Sequence, residues 1–143
     1  MKISAKAAYA CIALIDLAIH RDKSDPVRVA EVAKRNEIPE RFLVQILLQL
    51  KGAGYVQSTR GASGGYHLVV DPAKLSLWDV IQLVDGPTAL GTMDDIDRKG
   101  ATWQVLHGVW NEVNQHEEAL LKQTTFRELL ERVGQQNADM YYI

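Results

Sequence analysis

The segment "RGASGGYHLVV", residues 60–70, constrains the fold of this chain more than any other. It places Gly61, Gly64 and Gly65 between two stretches, "YVQST" and "YHLVV", whose side chains alternate with period two. Alternation of that kind is the mark of half-buried strands, and glycines between them mark a tight reversal. A glycine loop that cradles a nucleotide leads from a strand into a helix. This one leads into a second strand, so a β-hairpin is expected. Small residues at a hairpin tip also allow close approach to a phosphate. Taken alone, the loop fits a bare structural hairpin and an anion-touching one equally well.

Helical patterns surround the hairpin. Residues 4–20 repeat apolar positions at three and four (Ala7, Ala8, Cys11, Leu14, Ile15, Ala18), which predicts a helix with a broad apolar face. "HRDKSDP" breaks it, and "VRVAEVAKRNE" gives a short second helix with Val29, Val32 and Ala33 on one side. Pro39 suits the first position of a third helix, 39–51, whose expected buried stripe is Phe42, Leu43, Ile46, Leu47 and Leu50. "GAG" at 52–54 ends it. Beyond the hairpin, Ser76 is the expected N-cap of a helix with Leu77, Val80, Ile81 and Val84 on its apolar face. Residues 85–100 show no periodicity and are expected to form a mobile loop. A long helix then runs from Thr102 to about Gln123. Thr125 and Glu128 form a capping-box pattern for a short last helix, and the tail 134–143 is expected to be loose. The fold class is mainly α with a small β-hairpin wing. Its parts are 1–84, the loop 85–100, helices over 101–133, and the tail 134–143.

With 143 residues, the chain suffices for one domain with a real core. Apolar residues at 47% and charged residues at 24% are ordinary for a soluble globular protein. No run of eighteen apolar residues occurs, and Asp16 interrupts the apolar N-terminal stretch, so neither a membrane span nor a cleaved leader is expected and the cytoplasm is the expected location. The overall charge of −2 divides unevenly. Residues 1–75 hold eleven Lys/Arg against seven Asp/Glu, a net of +4, and residues 76–143 hold five against eleven, a net of −6. A basic front half points to a polyanionic partner.

Helix, helix, turn, helix, hairpin is the order of a winged helix-turn-helix. The third helix is narrow enough to enter a DNA major groove, the helix before it faces phosphates, and the hairpin reaches the adjacent backbone. The residues "RGASGGYHL" followed by "VDPAKLSLWDVIQLVDG" resemble the wing and following helix of the IscR/NsrR/CymR-type regulators, the Rrf2 family. The resemblance extends back through "ERFLVQILLQLKGAGYV" and "RVAEVAKRNEI" to "MKISAKAAYA". It implies a homodimeric transcription factor, usually a repressor, on a pseudo-palindromic operator of double-stranded DNA. By position it implies that Ser4, Lys6, Arg28, Arg41, Val44, Gln45, Arg60, Ser63, Gly64 and Tyr66 lie near DNA. Lys6, Arg28, Arg60 and Ser63 suit phosphate or groove contacts. Arg41 and Gln45 suit bidentate reading of guanine and adenine, and Val44 and Leu48 suit thymine methyls or a partner's helix. The long helix, with Trp103, Leu106, Val109, Trp110, Val113 and Leu121, is the expected dimer interface.

Many members of that family hold an iron–sulfur cluster with three cysteines in the loop before the long helix. Here the loop reads "GTMDDIDRKGATW", and the one cysteine of the chain, Cys11, sits in the first helix on its apolar face. No cofactor is expected, because such clusters need several thiolates. Asp94, Asp95 and Asp97 lack the glycine and spacing of a calcium loop. His107 and His116 are nine apart rather than four, and neither His20 nor His67 belongs to a ligand pattern, so no metal is expected. No nucleophile elbow or Walker loop occurs, so no enzyme activity is expected. Signalling is expected through a small-molecule effector or a partner protein acting on residues 85–100. The rival reading is a protein-interaction or small-molecule-sensing module that keeps the fold without specific DNA binding.

Overall fold

The computed structural model describes residues 2–87 and 99–141. Six α-helices and one two-stranded antiparallel sheet follow in the order α1 (Ala5–Ile19), α2 (Val29–Arg35), α3 (Glu40–Gly52), β1 (Val56–Thr59), β2 (Gly65–Leu68), a 3-10 turn (Pro72–Lys74), α4 (Leu77–Asp85), α5 (Ala101–Gln123) and α6 (Phe126–Tyr141).

Local chemistry explains the boundaries. Ser4 caps α1, its Oγ accepting from the Ala7 N–H at 3.0 Å. Ser76 caps α4 and exchanges bonds with Asp79, a capping box with aspartate in the third position. The Thr125 Oγ accepts from the Glu128 N–H at 3.3 Å and opens α6. Pro39 stands at the N-cap of α3 rather than inside it. The last helix runs on to Tyr141, so the tail is not loose over 134–141. Gln135, Gln136, Ala138 and Met140 are good helix formers, and the lone Gly134 is not enough to stop propagation. Residues 88–98, including Asp94, Asp95 and Asp97, lie outside the described residues, and so do Tyr142 and Ile143.

The core lies where α1 crosses α3, roofed by α2, α4 and the root of the hairpin. Leu14, Leu17, Leu43, Ile46, Leu47, Leu50, Val56, Leu75 and Val80 are sealed from water. Phe126 joins them because the junction of α5 and α6 is sewn to the start of α4: the Leu77 N–H donates to the Thr124 carbonyl at 3.0 Å, and the Phe126 N–H to the Leu75 carbonyl at 2.9 Å. Phe42 does not join the stripe expected of it and is 51% exposed. Its turn of α3 lies across an apolar groove from Ala5 and Tyr9 of α1, which leaves the ring half open to water.

One carboxylate is buried in this apolar setting. Asp16, on the inner face of α1, accepts from Arg35 Nε and Nη2 at 3.1 and 2.8 Å and from Asn36 Nδ2 at 2.8 Å. The His20 ring also approaches, with Nδ1 3.4 Å from Asp16 Oδ1. Burial alone would raise its pKa, but the hydrogen bonds of Arg35 and Asn36, with the charges of Arg35 and His20, outweigh it and hold the carboxyl below its ordinary 3.8. The bonds fasten the end of α2 to α1. Because the folded value is the lower one, this stabilisation is present above pH 3.8 and is lost as pH falls through the folded value. Urea midpoints measured from pH 6 downward should fall on the acid side, and Asp16→Asn should flatten that fall. Arg35→Ala should cost about 1–3 kcal/mol at neutral pH, since it strips a buried carboxylate of its main donor.

Candidate nucleic-acid interface

The exposed side of α3 is set by the same periodicity that fills the core. With Leu43, Ile46, Leu47 and Leu50 buried, Arg41, Val44, Gln45 and Leu48 fall on the opposite face and are exposed, as expected. The Arg41 guanidinium lies 5.3 Å from the centroid of the Phe42 ring, an arrangement that restrains a long side chain at little cost. Two bonds fix how α3 presents this face. Gln49 Nε2 donates to the Leu83 carbonyl of α4 at 2.9 Å, and Lys51 Nζ donates to Ser58 Oγ of β1 at 2.7 Å.

The wing stands beside it. β1 and β2 pair Val56 with Leu68, Gln57 with His67, Ser58 with Tyr66 and Thr59 with Gly65, leaving residues 60–64 as the turn. Each glycine has a steric reason. Gly61 has φ of 107°, a region that strains other residues. A Cβ on Gly64 would lie 2.2 Å from the Thr59 carbonyl oxygen, and one on Gly65 would lie 2.3 Å from the Val27 carbonyl oxygen. The second contact exists because Val27 and Tyr66 exchange backbone hydrogen bonds at 2.9 and 2.8 Å, adding a third edge to the hairpin. The glycine pattern therefore follows from the fold itself. Arg60 and Ser63 are exposed in the turn, while Gly64 and Tyr66 are half-buried.

The other expected contacts divide. Lys6 is exposed on the first turn of α1 and lines an apolar groove of about 490 Å³ with Ala5, Tyr9, Phe42, Gln45 and Ile46. Ser4 is half-buried and occupied: besides capping α1, its Oγ donates to Asp85 Oδ1 and its N–H to Asp85 Oδ2 at 3.3 Å. Arg28 is exposed, but its guanidinium donates to the Ala62 carbonyl of the wing turn at 2.9 Å. Sequence reasoning missed Phe42 on the exposed face and the anchoring roles of Asp16 and Asp85. An aspartate amid Ala13, Leu14 and Leu17 was the available signal for the first.

α5 is 23 residues long, and none of them is buried. Trp103, His107, Asn114, Glu117, Glu118 and Leu121 are partly covered. Leu106, Val109, Val113 and Leu120 are exposed, spaced three, four and seven apart, with Val105 and Trp110 flanking them. Of the expected interface residues, Trp103 and Leu121 thus fall on the covered side, whereas Leu106, Val109, Trp110 and Val113 remain open. Leu120, at 65% exposure, belongs with the open seam.

The family model described as Rrf2, an iron-dependent transcriptional regulator, matches residues 3–132. The chain is 34% identical over 131 residues to the HTH-type transcriptional regulator IscR of Vibrio vulnificus, spanning 91% of this chain and 77% of that one. Its fold is similar to that of CymR, the global cysteine regulator of B. subtilis, with a TM-score of 0.79 at 28% identity over 92% of this chain and 98% of the other. It is also similar to IscR of T. potens, with a TM-score of 0.76 at 30% identity over 93% and 88%. No helix among the described residues is long and apolar enough to cross a membrane.

The iron in that description does not fit the thiols of this chain. Cys11 is its one cysteine, buried on α1, and burial, with the nearby Asp85 charge, pushes its thiol up to about 12. A thiol so held is neither a nucleophile nor a metal ligand near neutral pH. In the folded protein at pH 8, Cys11 should react with a thiol reagent such as DTNB only as fast as the protein unfolds, and quickly once urea is added. Prompt labelling of the native state would contradict this placement.

Proposed function

The chain belongs to the Rrf2 family of transcriptional regulators, and we propose that it acts as a homodimeric repressor that reads a pseudo-palindromic operator through α3 and the wing, with no cysteine-held iron–sulfur cluster. Family membership supports DNA as the partner, and the relatives it resembles are regulators rather than enzymes. The observation that carries the finer reading is the face formed by Arg41, Val44, Gln45 and Leu48 on α3, with Arg60, Ser63, Gly64 and Tyr66 on the wing beside it. Arg41 and Gln45 read base edges, Val44 and Leu48 meet thymine methyls, and Lys6, Arg60 and Ser63 hold the backbone. Ser4 contributes through the pose of α1, whose first turn carries Lys6.

The open seam of α5 supports the dimer. Apolar positions alternating three and four apart have the 3.5-residue period that two helices bury against each other. Pairing two copies on this seam supplies the two reading heads, about 34 Å apart, that successive major grooves on one side of a duplex require. Residues 85–100, between α4 and α5, are the place where a small effector or partner protein would alter that spacing. The apolar content of the α3 face, with Phe42 and Leu48 each 51% exposed, favours one rival reading, a module that docks protein instead of DNA.

Genomic fragments selected on the protein and titrated at several salt concentrations should separate these readings. A palindromic motif bound with affinity that falls steeply with salt is expected. Arg60→Ala should weaken binding to all sequences alike and lower the slope of log K against log salt by about 0.9. Arg41→Ala should cost about 1–3 kcal/mol and relax selectivity at one position of each half-site. No enrichment at low salt would favour the protein-docking module. Separately, Val109→Glu with Val113→Glu should turn the sedimenting species from dimer to monomer, since these side chains support nothing within one chain. An unchanged mass would remove α5 as the interface.

A further inference from the structure

We infer that Arg28 is a positioning residue that holds the wing at a fixed angle to α2, rather than a cation that neutralises a DNA phosphate. The inference deepens the DNA-binding reading and rests on it for its consequence, though not for its geometry. Arg28 is the N-cap residue of α2 yet makes no side-chain cap. Its guanidinium instead spans to the wing and donates to the Ala62 carbonyl at 2.9 Å. Next to it, Val27 and Tyr66 exchange backbone bonds at 2.9 and 2.8 Å. Gly65 permits that closeness, because any Cβ there would meet the Val27 carbonyl. Residues 27 and 28 therefore grip the hairpin twice: Val27 at the base of β2, and Arg28 at the turn.

The surroundings argue against a phosphate seat. Arg28 lines a polar cleft with Lys23, Asp25, Glu31, Arg35 and Ser63. Arg35 is already committed to Asp16. The remaining charges of that cleft, Lys23 and Arg28 against Asp25 and Glu31, cancel, so the cleft offers a phosphodiester no net positive field. A backbone carbonyl is a neutral acceptor that Arg28 satisfies without expelling a counterion. Arg60, in the same turn, is exposed and makes no such bond among the described residues, so it stays open to the polyanion.

The two roles predict different numbers. In the free protein, Arg28→Ala should speed amide hydrogen exchange at the wing by about five- to tenfold, the worth of one such bond. The amide to follow is Gly64, which donates to the Gly61 carbonyl at 3.0 Å inside the turn. With selected operator DNA, the same variant should bind more weakly while keeping the wild-type salt slope, in contrast to Arg60→Ala. Unchanged exchange at Gly64 would overturn the brace. A salt slope lowered by about 0.9, as for a lost phosphate contact, would overturn it as well. The exchange measurement needs no DNA, so it stands even if the chain were to bind none. The Arg28 side chain is exposed, and a melting temperature close to wild type would exclude general unfolding as the cause of faster exchange.

Discussion

The contact on which the putting-together of the reading surface depends is the approach of Gly65 to the Val27 carbonyl. Two strands joined by a five-residue turn are marginal by themselves in water. Here the hairpin gains a third edge from the residue that precedes α2, and it gains it only because β2 begins with a residue that has no side chain. α2 is in turn tied to α1 through Asp16 and Arg35, and α3 to β1 through Lys51 and Ser58. Wing, α2 and α3 are thus linked to one another, or to α1, by direct bonds.

Much of this was legible in the sequence because two periods dominate it. The 3.6-residue repeat marked α1, α3 and α4 and put Arg41, Val44, Gln45 and Leu48 on the outer face. The two-residue alternation, broken by glycines, marked the hairpin. Capping chemistry located the starts of α4 and α6 to within a residue or so. Periodicity failed where burial depends on what lies opposite. Phe42 has the spacing of a core residue, but it faces Ala5 and Tyr9 across a groove, so its ring stays in water. The tail from Gly134 reads as polar and unpatterned, yet helix propensity alone carries α6 through it. Trp103 and Leu121 share the helical repeat with the open seam of α5, and only the position of the body decides that they fall on the other side.

Polar partners were the least legible part. An aspartate inside an apolar helix signals a buried pair, but nothing in a single sequence names Arg35 and Asn36 as the donors, because they belong to another helix. The same holds for Arg28, which looks like any surface cation until the wing turn is seen to bring the Ala62 carbonyl to it. Charge counted along a chain says how many cations exist. It does not say which ones are already spent on the protein's own backbone.

The bond between Ser4 and Asp85 has a mechanical consequence. Asp85 is the last residue of α4, and Gly86 follows with φ of 80°, a conformation that favours glycine at the point where the chain leaves the helix. Just before that glycine, the two oxygens of the Asp85 carboxylate clasp the opening of α1. The first turn of α1 carries Lys6 and forms one wall of the groove whose other wall is Phe42 and Gln45. The C-terminal end of α4 is therefore held twice, to α3 through the Leu83 carbonyl and Gln49 and to the opening of α1 through Asp85 and Ser4.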